Sequence, residues 1–368
     1  MAAHLVSLAL FVGGLVALIA GADILVRGAS KLALTLGVSP LVVGLTVVAF
    51  GTSAPEMAVS ASSVLSGQSS LALGNVVGSN IFNLLLILGL SAVVAPLIVH
   101  QQIIRQEMPV LIAATVLVML LARDGSLGLI DGIALLVCLL AYTVALVVQS
   151  RRLTQASRAL SQATARTVTA HRRWDDRLGV QLALIAAGLA LLVLGSDWLV
   201  TASVTFARSL GVSELVIGLT IVAAGTSMPE VATSVAAALK GERDIAVGNV
   251  VGSCTFNLLG CLGLSGVLAG SVGLPVAQTL LDFDLWIMLA ATVMCLPLLF
   301  TGREISRWEG ALLLLAFSLY MAHVVLAARG AVSMPTPTLL LWSVALPLVL
   351  MALAPALWRP ARAGVQHR

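Results

Sequence analysis

Two glutamates, Glu56 and Glu230, stand in closely similar stretches of an apolar sequence and are the clearest candidates for chemistry. The first stretch reads GTSAPE and the second GTSMPE, so each carboxylate follows a threonine and a serine by about one helical turn. Carboxylate, hydroxyl and carbonyl oxygens together form the ligand set that hard cations such as Ca²⁺ prefer. Because an ionisable side chain at membrane depth is costly, each glutamate is a functional-site candidate by default.

A second motif, GNVVGS, follows each glutamate and adds further oxygens. Ser79 and Asn83 are four residues apart and share one face of a helix, as do Ser253 and Asn257. The candidate ligands are Thr52, Ser53, Glu56, Ser79 and Asn83 in the first copy and Thr226, Ser227, Glu230, Ser253 and Asn257 in the second. Two carboxylates in this shell can hold one divalent cation, or sodium ions or protons in its place.

Other metal and catalytic chemistries fit these residues less well. Zinc and copper favour histidine and cysteine ligands, and the four cysteines have neither CxxC spacing nor histidine partners. All five histidines lie outside the two motif copies, so an intramembrane hydrolase is a minor alternative. There is no GxxxxGK[ST] phosphate loop, and we therefore expect no ATP-driven pump.

The two motif copies belong to a longer internal duplication. The stretch 21–83 matches 195–257 without a gap, at 34 identities in 63 positions, and Glu230 lies 174 residues after Glu56. A duplication of this kind is read before any finer feature, because it defines the repeating structural unit.

The composition predicts an integral membrane protein. The chain is 60% hydrophobic and 10% charged, with a mean hydropathy of +1.08, whereas soluble proteins carry about 25% charged residues. The apolar runs are too long for the strands of an outer-membrane barrel and predict an all-α polytopic fold. Spans are expected near 4–26, 40–66, 70–96, 106–122, 127–149, 178–200, 214–240, 244–270, 282–300 and 307–327, with an extra C-terminal span near 337–357.

The repeats begin five spans apart, so the second copy must enter the membrane from the opposite side. Two inverted five-helix repeats, ten transmembrane helices in all, are typical of secondary transporters that bind substrate at the midplane. We divide the chain into a first repeat at 1–149, a basic loop at 150–177, an inverted second repeat at 178–327, and the extra span with a basic tail at 328–368.

The basic residues predict the orientation of the chain. With the N-terminus outside, 17 of the 20 lysines and arginines fall on the inner side and three on the outer side. Loop 150–177 and the C-terminus are then cytoplasmic, and the protein lies in the cell (inner) membrane. Because the basic residues are scattered over loops, they do not indicate nucleic-acid binding.

A proline in each motif predicts a broken helix. Pro55 has no N–H for the carbonyl of Gly51 and disfavours helix at Ala54, and Pro229 and Gly225 repeat the arrangement. We expect an unwound turn, GTSAPE or GTSMPE, at mid-membrane, where freed carbonyls must line a cavity or be buried in protein.

Several other repeated or charged residues are interpreted mainly as structural or solvated and not as cation ligands. Asp23 and its counterpart Asp197 are expected to have helix-end or structural roles, and the connector around Lys240 is expected to be a solvated turn. Asp284 is expected to be a solvated residue at the outer mouth. Ser60 and Ser234, four residues after the glutamates, could be structural or functional.

The pair GTSxPE with GNVVGSxxFN resembles the two alpha-repeats of the calcium/cation antiporter superfamily, in particular its prokaryotic sodium/calcium exchanger-like members. The resemblance implies that Glu56 and Glu230 are the central calcium ligands. It also implies calcium or sodium ligation by Thr52, Ser53, Thr226, Ser227, Ser79 and Ser253, by the carbonyls of Ala49 and Ala223, and by Asn83 and Asn257. The sequence departs from the pattern at Asn257, where some prokaryotic members have aspartate, and at Cys254.

The expected function is secondary active exchange of Ca²⁺ for Na⁺ by alternating access, without enzyme activity and without a cofactor beyond the transported ions. The expected partners are Ca²⁺, Na⁺ and the lipid bilayer. A Ca²⁺/H⁺ antiporter is the nearest alternative, since protons could replace sodium on the carboxylates, and a cation channel is a more distant one. The hydroxyls around the carboxylates favour sodium, because a proton needs only the carboxylates.

Overall fold

The protein is a helical, multi-pass membrane protein in the parts of the chain that its computed structural model describes, which are residues 2–162, 177–209, 223–300 and 304–328. The predicted extra span 337–357 with its basic tail, residues 163–176 of loop 150–177 and residues 214–222 of span 214–240 lie outside these ranges.

Six helices build the first repeat and six the second. The first contains α1 (Ala2–Leu36), α2 (Pro40–Thr52), α3 (Ala54–Leu65), α4 (Leu71–Val94), α5 (Ile103–Asp124) and α6 (Leu129–Gln162). The second contains, in the described residues, α7 (Leu178–Ser209), α8 (Ala223–Thr226), α9 (Met228–Leu239), α10 (Arg243–Ala269), α11 (Leu285–Phe300) and α12 (Arg307–Ala328).

The number of spans agrees with the sequence as far as the described residues reach. Seven helices are long and apolar enough to cross a membrane, and α2 with α3 forms an eighth span that bends by 42°. The other two predicted spans are 214–240, of which α8 and α9 form the described part, and 282–300, which contains α11.

The two repeats are inverted, because α1 packs antiparallel against its own counterpart, α7. A Cβ atom at Gly21 would lie 2.9 Å from the carbonyl oxygen of Gly188, and one at Gly14 would lie 2.7 Å from that of Gly195. Contacts that advance along α1 therefore retreat along α7. The reverse contacts are equally close, at 2.9 Å from Gly188 and 2.8 Å from Gly195. Glycine at these positions lets the two backbones touch.

Two short antiparallel strand pairs also join the repeats in matching ways. Strand β1 (Leu97–Ile98) follows α4 and pairs with β4 (Glu304–Ile305), which precedes α12. Strand β3 (Leu274–Pro275) follows α10 and pairs with β2 (Ser126–Leu127), which precedes α6. Each pair thus ties the end of one repeat's GNVVGS helix to the start of the other repeat's last helix.

An acid paired with a tyrosine recurs in both repeats. Tyr142 of α6 donates a 2.7 Å hydrogen bond to Glu107 of α5, and Tyr320 of α12 donates a 3.0 Å bond to Asp284, just before α11. Asp284 is half-buried and bonded to Tyr320, so it is only in part the solvated end residue that the sequence predicts. The acid–tyrosine pairs show that the structural duplication continues beyond the stretch in which the sequences match closely.

An ion pair joins α1 to the end of α9. The ammonium of Lys240 lies 2.6 Å from the carboxylate of Asp23 and donates a second bond, 2.8 Å long, to the Asp23 carbonyl. Asp23 thus has the structural role expected of it, while Lys240 does more than form a solvated turn. The position that matches Lys240 in the first repeat is Ser66, so this contact breaks the symmetry of the duplication.

Replacing Gly188 by alanine tests the α1–α7 contact. The new methyl group would fall 2.8 Å from the backbone nitrogen of Leu25, so we expect a loss of about 1–3 kcal/mol in stability. Gly179→Ala in the same helix is the matched control, because nothing lies within 4 Å of its would-be Cβ. Alanine should there stabilise the helix slightly. Thermal unfolding in detergent measures both variants, and equal effects would contradict the packing described above.

Candidate cation-binding site

Both motif helices break at the serine that stands two residues before the proline. Ser53 separates α2 from α3 with φ −79° and ψ 2°, and Ser227 separates α8 from α9 with φ −91° and ψ 8°. Pro55 and Pro229 then occupy the first turn of the new helix, where a missing N–H costs nothing. The predicted break is confirmed, but it is one residue wide and not an unwound six-residue turn.

The proline leaves a carbonyl without its helical partner, and in the second repeat another helix supplies one. Pro229 has no N–H for the carbonyl of Gly225, and this carbonyl accepts a short hydrogen bond from the hydroxyl of Ser196 on α7. The broken helix is therefore stabilised by a neighbour, as buried backbone groups require.

Each glutamate lies in the first turn of a half-helix and accepts a hydrogen bond from the other repeat. Ser53 donates to Glu230 Oε1 at 3.2 Å, and Ser227 donates to Glu56 Oε1 at 2.8 Å. Both carboxylates are 0% exposed. The two breaks thus lie against each other, and each repeat holds the carboxylate of its partner.

The GNVVGS helices bring their serines to the same place. Ser79 Oγ lies 3.4 Å from Ser227 Oγ, and Ser253 Oγ lies 3.4 Å from Thr52 Oγ1. Close packing makes this possible, because a Cβ at Gly252 would lie 2.7 Å from the Leu45 carbonyl. A Cβ at Gly248 would likewise lie 2.9 Å from the Leu41 carbonyl, so glycine at both positions lets α10 pack closely on α2.

The motif asparagines are buried beside this cluster, where α4 and α10 change to π-helical turns. These turns are Phe82–Ile87 and Asn257–Cys261, and such bulges are frequent at functional sites. Neither amide atom of Asn83 has a hydrogen-bond partner, nor does Asn257 Nδ2. Asn257 Oδ1 accepts a weak bond, 3.6 Å long, from the Cys261 thiol.

Three predicted ligands remain, and the structure places one of them, Ala49, in the cluster. The carbonyl of Ala49 accepts the N–H of Ser53 at 3.0 Å and lies 3.4 Å from Thr52 Oγ1, so it belongs to the cluster. Thr226 ends α8, and Ala223 begins it, next to residues that lie outside the described ranges.

The site has unused oxygen atoms and no countercharge. The second carboxylate oxygen, Oε2, of both Glu56 and Glu230 has no hydrogen-bond partner. Neither carboxylate forms an ion pair with a described residue. A buried carboxylate without a partner is strongly unfavourable, so the arrangement is complete only with cations or protons between these oxygens. No cluster of three His, Cys, Asp or Glu side chains suited to a transition metal occurs among the described residues.

An apolar cavity of about 710 Å³ lies on another side of α2, towards α7. Its lining includes Phe50, Leu189 and Leu194 and is almost entirely apolar. Because such a lining cannot replace the hydration shell of an ion, this cavity is separate from the cation site.

Sequence analysis missed two asparagines that support the cluster. Asn75 Nδ2 donates to Ser60 Oγ at 3.0 Å, and Asn249 Nδ2 donates to Ser234 Oγ at 2.9 Å. Their signal was present in the sequence, since both occupy the same place in GNVVGS. The undecided serines, Ser60 and Ser234, are the partners of these asparagines.

A buried carboxylate pair at the crossing of two inverted, broken helices defines a secondary transporter of cations. Comparison with known proteins agrees. The sequence profile of a family described as "Sodium/calcium exchanger protein" matches residues 6–148 and 180–326. The chain therefore belongs to the sodium/calcium exchanger family, whose members are membrane transporters and not enzymes.

Individual relatives match more than four fifths of this chain. The putative antiporter CaxA of Alkalimonas amylolytica is 39% identical over 83% of this chain and 94% of its own length. The sodium/calcium exchanger MaX1 of Methanosarcina acetivorans is 32% identical over 84% of this chain and 95% of its own. A solved structure of the sodium-calcium exchanger NCX_Mj, soaked with Na⁺ and Sr²⁺, matches with a TM-score of 0.73 and 27% identity. The match covers 86% of this chain and 98% of that one.

Removing one buried carboxylate tests whether the paired negative charges destabilise the protein when neither Na⁺ nor Ca²⁺ is present. In buffer without Na⁺ or Ca²⁺, we expect Glu56→Gln to unfold about 2 °C or more above the wild type, because one uncompensated charge is gone. Glu107→Gln is the matched control, since Tyr142 and Gln102 already satisfy this buried acid and its loss should destabilise the fold. Thermal unfolding with choline as the only added cation gives both values. A midpoint of thermal unfolding below that of the wild type for Glu56→Gln would contradict destabilisation by the buried charges.

Proposed function

We propose that this protein exchanges Ca²⁺ for Na⁺ at the crossing of the two broken helices. The observation that carries the proposal is the pair of buried carboxylates, Glu56 and Glu230, each with one oxygen bonded by the opposite repeat and one oxygen free. Two negative charges balance one divalent cation, and the surrounding hydroxyl and amide oxygens suit a flexible calcium shell.

The proposed ligand set follows the geometry. The carboxylates of Glu56 and Glu230 bind Ca²⁺, and the hydroxyl, amide and carbonyl oxygens around them complete its shell or hold Na⁺. These oxygens belong to Thr52, Ser53, Thr226, Ser227, Ser79, Ser253, Asn83, Asn257, Ala49 and Ala223. Because the two cations share ligands, they compete for the site, and this competition couples their movements.

The inverted repeats support alternating access. Exchanging the conformations of two inverted repeats converts a site open to one face of the membrane into a site open to the other. The hydrogen bonds from Ser53 to Glu230 and from Ser227 to Glu56 link the repeats at the site itself. A rearrangement of one repeat therefore changes the ligands that the other repeat offers.

Sodium is favoured over the proton as the coupling ion. A proton would need only the free oxygens of the carboxylates, whereas the site also gathers buried hydroxyls and an amide, Asn83, whose oxygen has no partner. Oxygens of this kind are ligands for a hard cation. Ca²⁺/H⁺ exchange at the same carboxylates remains the alternative that the experiment below separates.

The proposed setting is the cell (inner) membrane. With the N-terminus outside, the lysines and arginines concentrate on the cytoplasmic side, where loop 150–177 and the C-terminus then lie.

Uptake of ⁴⁵Ca²⁺ into proteoliposomes tests the proposal. We expect saturable uptake when Na⁺ is loaded inside and absent outside, and about a hundredfold loss in Glu56→Gln and in Glu230→Gln, because each carboxylate is a direct ligand. An imposed pH gradient, without Na⁺, is run separately. Uptake driven by that gradient alone would assign the protein to proton-coupled exchange.

Glu107→Gln is the control for this experiment as well. It removes a buried acid whose hydrogen-bond partners, Tyr142 and Gln102, are not among the candidate ligands. Transport should survive in this variant. Flux without a requirement for a counter-ion would indicate a channel, and undiminished exchange in both site variants would show that the glutamates are structural.

A further inference from the structure

Asn249 lies behind the candidate ligands and touches both repeats. Its Oδ1 atom accepts a 3.1 Å hydrogen bond from the hydroxyl of Thr52, and its Nδ2 atom donates a 2.9 Å bond to Ser234 Oγ. The Asn249 side chain is 0% exposed. It is therefore a fixed partner of a candidate ligand and contributes no ligand of its own.

The duplication fixes which way the Asn249 amide points. A serine hydroxyl can donate or accept, so Ser234 alone does not distinguish the two amide orientations. The matching Asn75 settles the question, because its Nδ2 atom faces Ser60 Oγ at 3.0 Å and also the Glu56 backbone carbonyl at 3.3 Å, which can only accept. In the same orientation, the amide of Asn249 directs Nδ2 to Ser234 and Oδ1 to Thr52.

An acceptor behind Thr52 decides whether its hydroxyl can bind a cation. The hydroxyl has one hydrogen, and Thr52 directly precedes Ser53, whose own hydroxyl donates to the Glu230 carboxylate of the same cluster. A hydrogen directed at the carboxylate would also face any cation bound there and repel it. A hydrogen directed at Asn249 leaves the oxygen lone pairs facing the cation. The two other neutral acceptors, the Ala49 carbonyl and Ser253 Oγ, are farther away, each at 3.4 Å from Thr52 Oγ1.

We infer that Asn249 is a positioning residue that orients the Thr52 hydroxyl for cation binding. The inference rests on the proposed function, because it concerns the same site. This role of Asn249 affects metal cations and protons differently. Na⁺ and Ca²⁺ need the lone pairs of Thr52, whereas a proton binds the carboxylates without them. Loss of the Asn249 acceptor therefore weakens cation binding through Thr52 and leaves proton binding to the carboxylates in place.

A double-mutant cycle tests this role. Asn249→Ala, Thr52→Val and the double variant are compared with the wild type by two readouts. These are the Ca²⁺ and Na⁺ concentrations that half-maximally stabilise the purified protein against heat, and the half-saturating Ca²⁺ concentration for Na⁺-driven ⁴⁵Ca²⁺ uptake. We expect Asn249→Ala to raise these concentrations about three- to tenfold, as the loss of one orienting hydrogen bond predicts. In the Thr52→Val background, Asn249→Ala should have no further effect.

Asn80→Ala is the matched control. Asn80 is a buried asparagine of α4, but its Nδ2 atom bonds the Val76 carbonyl of its own helix at 2.9 Å. Its loss should leave the half-saturating concentrations unchanged. If Asn249→Ala does not fold, Ser234→Ala replaces it in the cycle, because this variant keeps the Asn249 oxygen and removes only its anchor. An increase of about twofold that disappears in the Thr52→Val background is then expected.

The outcomes separate this inference from the proposed function. Equal and additive effects in the two backgrounds would show that Asn249 does not act through Thr52 and would overturn the inference, while Na⁺-driven uptake in the wild type would still stand. Absence of Na⁺-driven uptake in the wild type would overturn the proposed exchange. The thermal readout with Ca²⁺ would then still report whether Asn249 and Thr52 act as one unit.

Discussion

The structure depends on one unfavourable arrangement, the burial of two carboxylates that no basic side chain in the described part of the chain neutralises. Glu56 and Glu230 are 0% exposed, and each keeps one oxygen without a partner. In the interior of a membrane protein such groups are tolerated only where a functional ligand compensates them. The broken helices, the close glycine contacts and the π-helical turns all serve to gather neutral oxygens around these two charges.

The duplication supplies the same motif twice, and each copy forms hydrogen bonds with the other. Ser53 bonds Glu230 and Ser227 bonds Glu56, so neither repeat completes its own half of the site. Two repeats that bond each other's carboxylates in this way cannot rearrange independently, which is the physical requirement for coupled transport. The ion pair between Asp23 and Lys240 has no counterpart by sequence at Ser66, so the two ends of the symmetric core are held differently.

The orientation of hydroxyl groups connects the architecture to the choice of coupling ion. A hydroxyl beside a carboxylate naturally donates to it, and it becomes a cation ligand only when another acceptor takes its hydrogen. Asn249 offers that acceptor to Thr52 from the opposite repeat. Specificity for a metal cation over a proton can thus depend on residues that never touch the ion, as is common for supporting residues around metal sites.

The sequence by itself determined the helical spans, the inverted duplication, the breaks before Pro55 and Pro229, and the types of oxygen at the site. These features are local or periodic, and the membrane restricts the chain to helices. Only the tertiary structure decided which groups meet. Ser53 and Glu230 are 177 residues apart, Tyr320 bonds Asp284 across 36 residues, and Asn249 reaches Thr52 because α10 packs on α2. No sequence period encodes such contacts, because they arise from the packing of one repeat against the other.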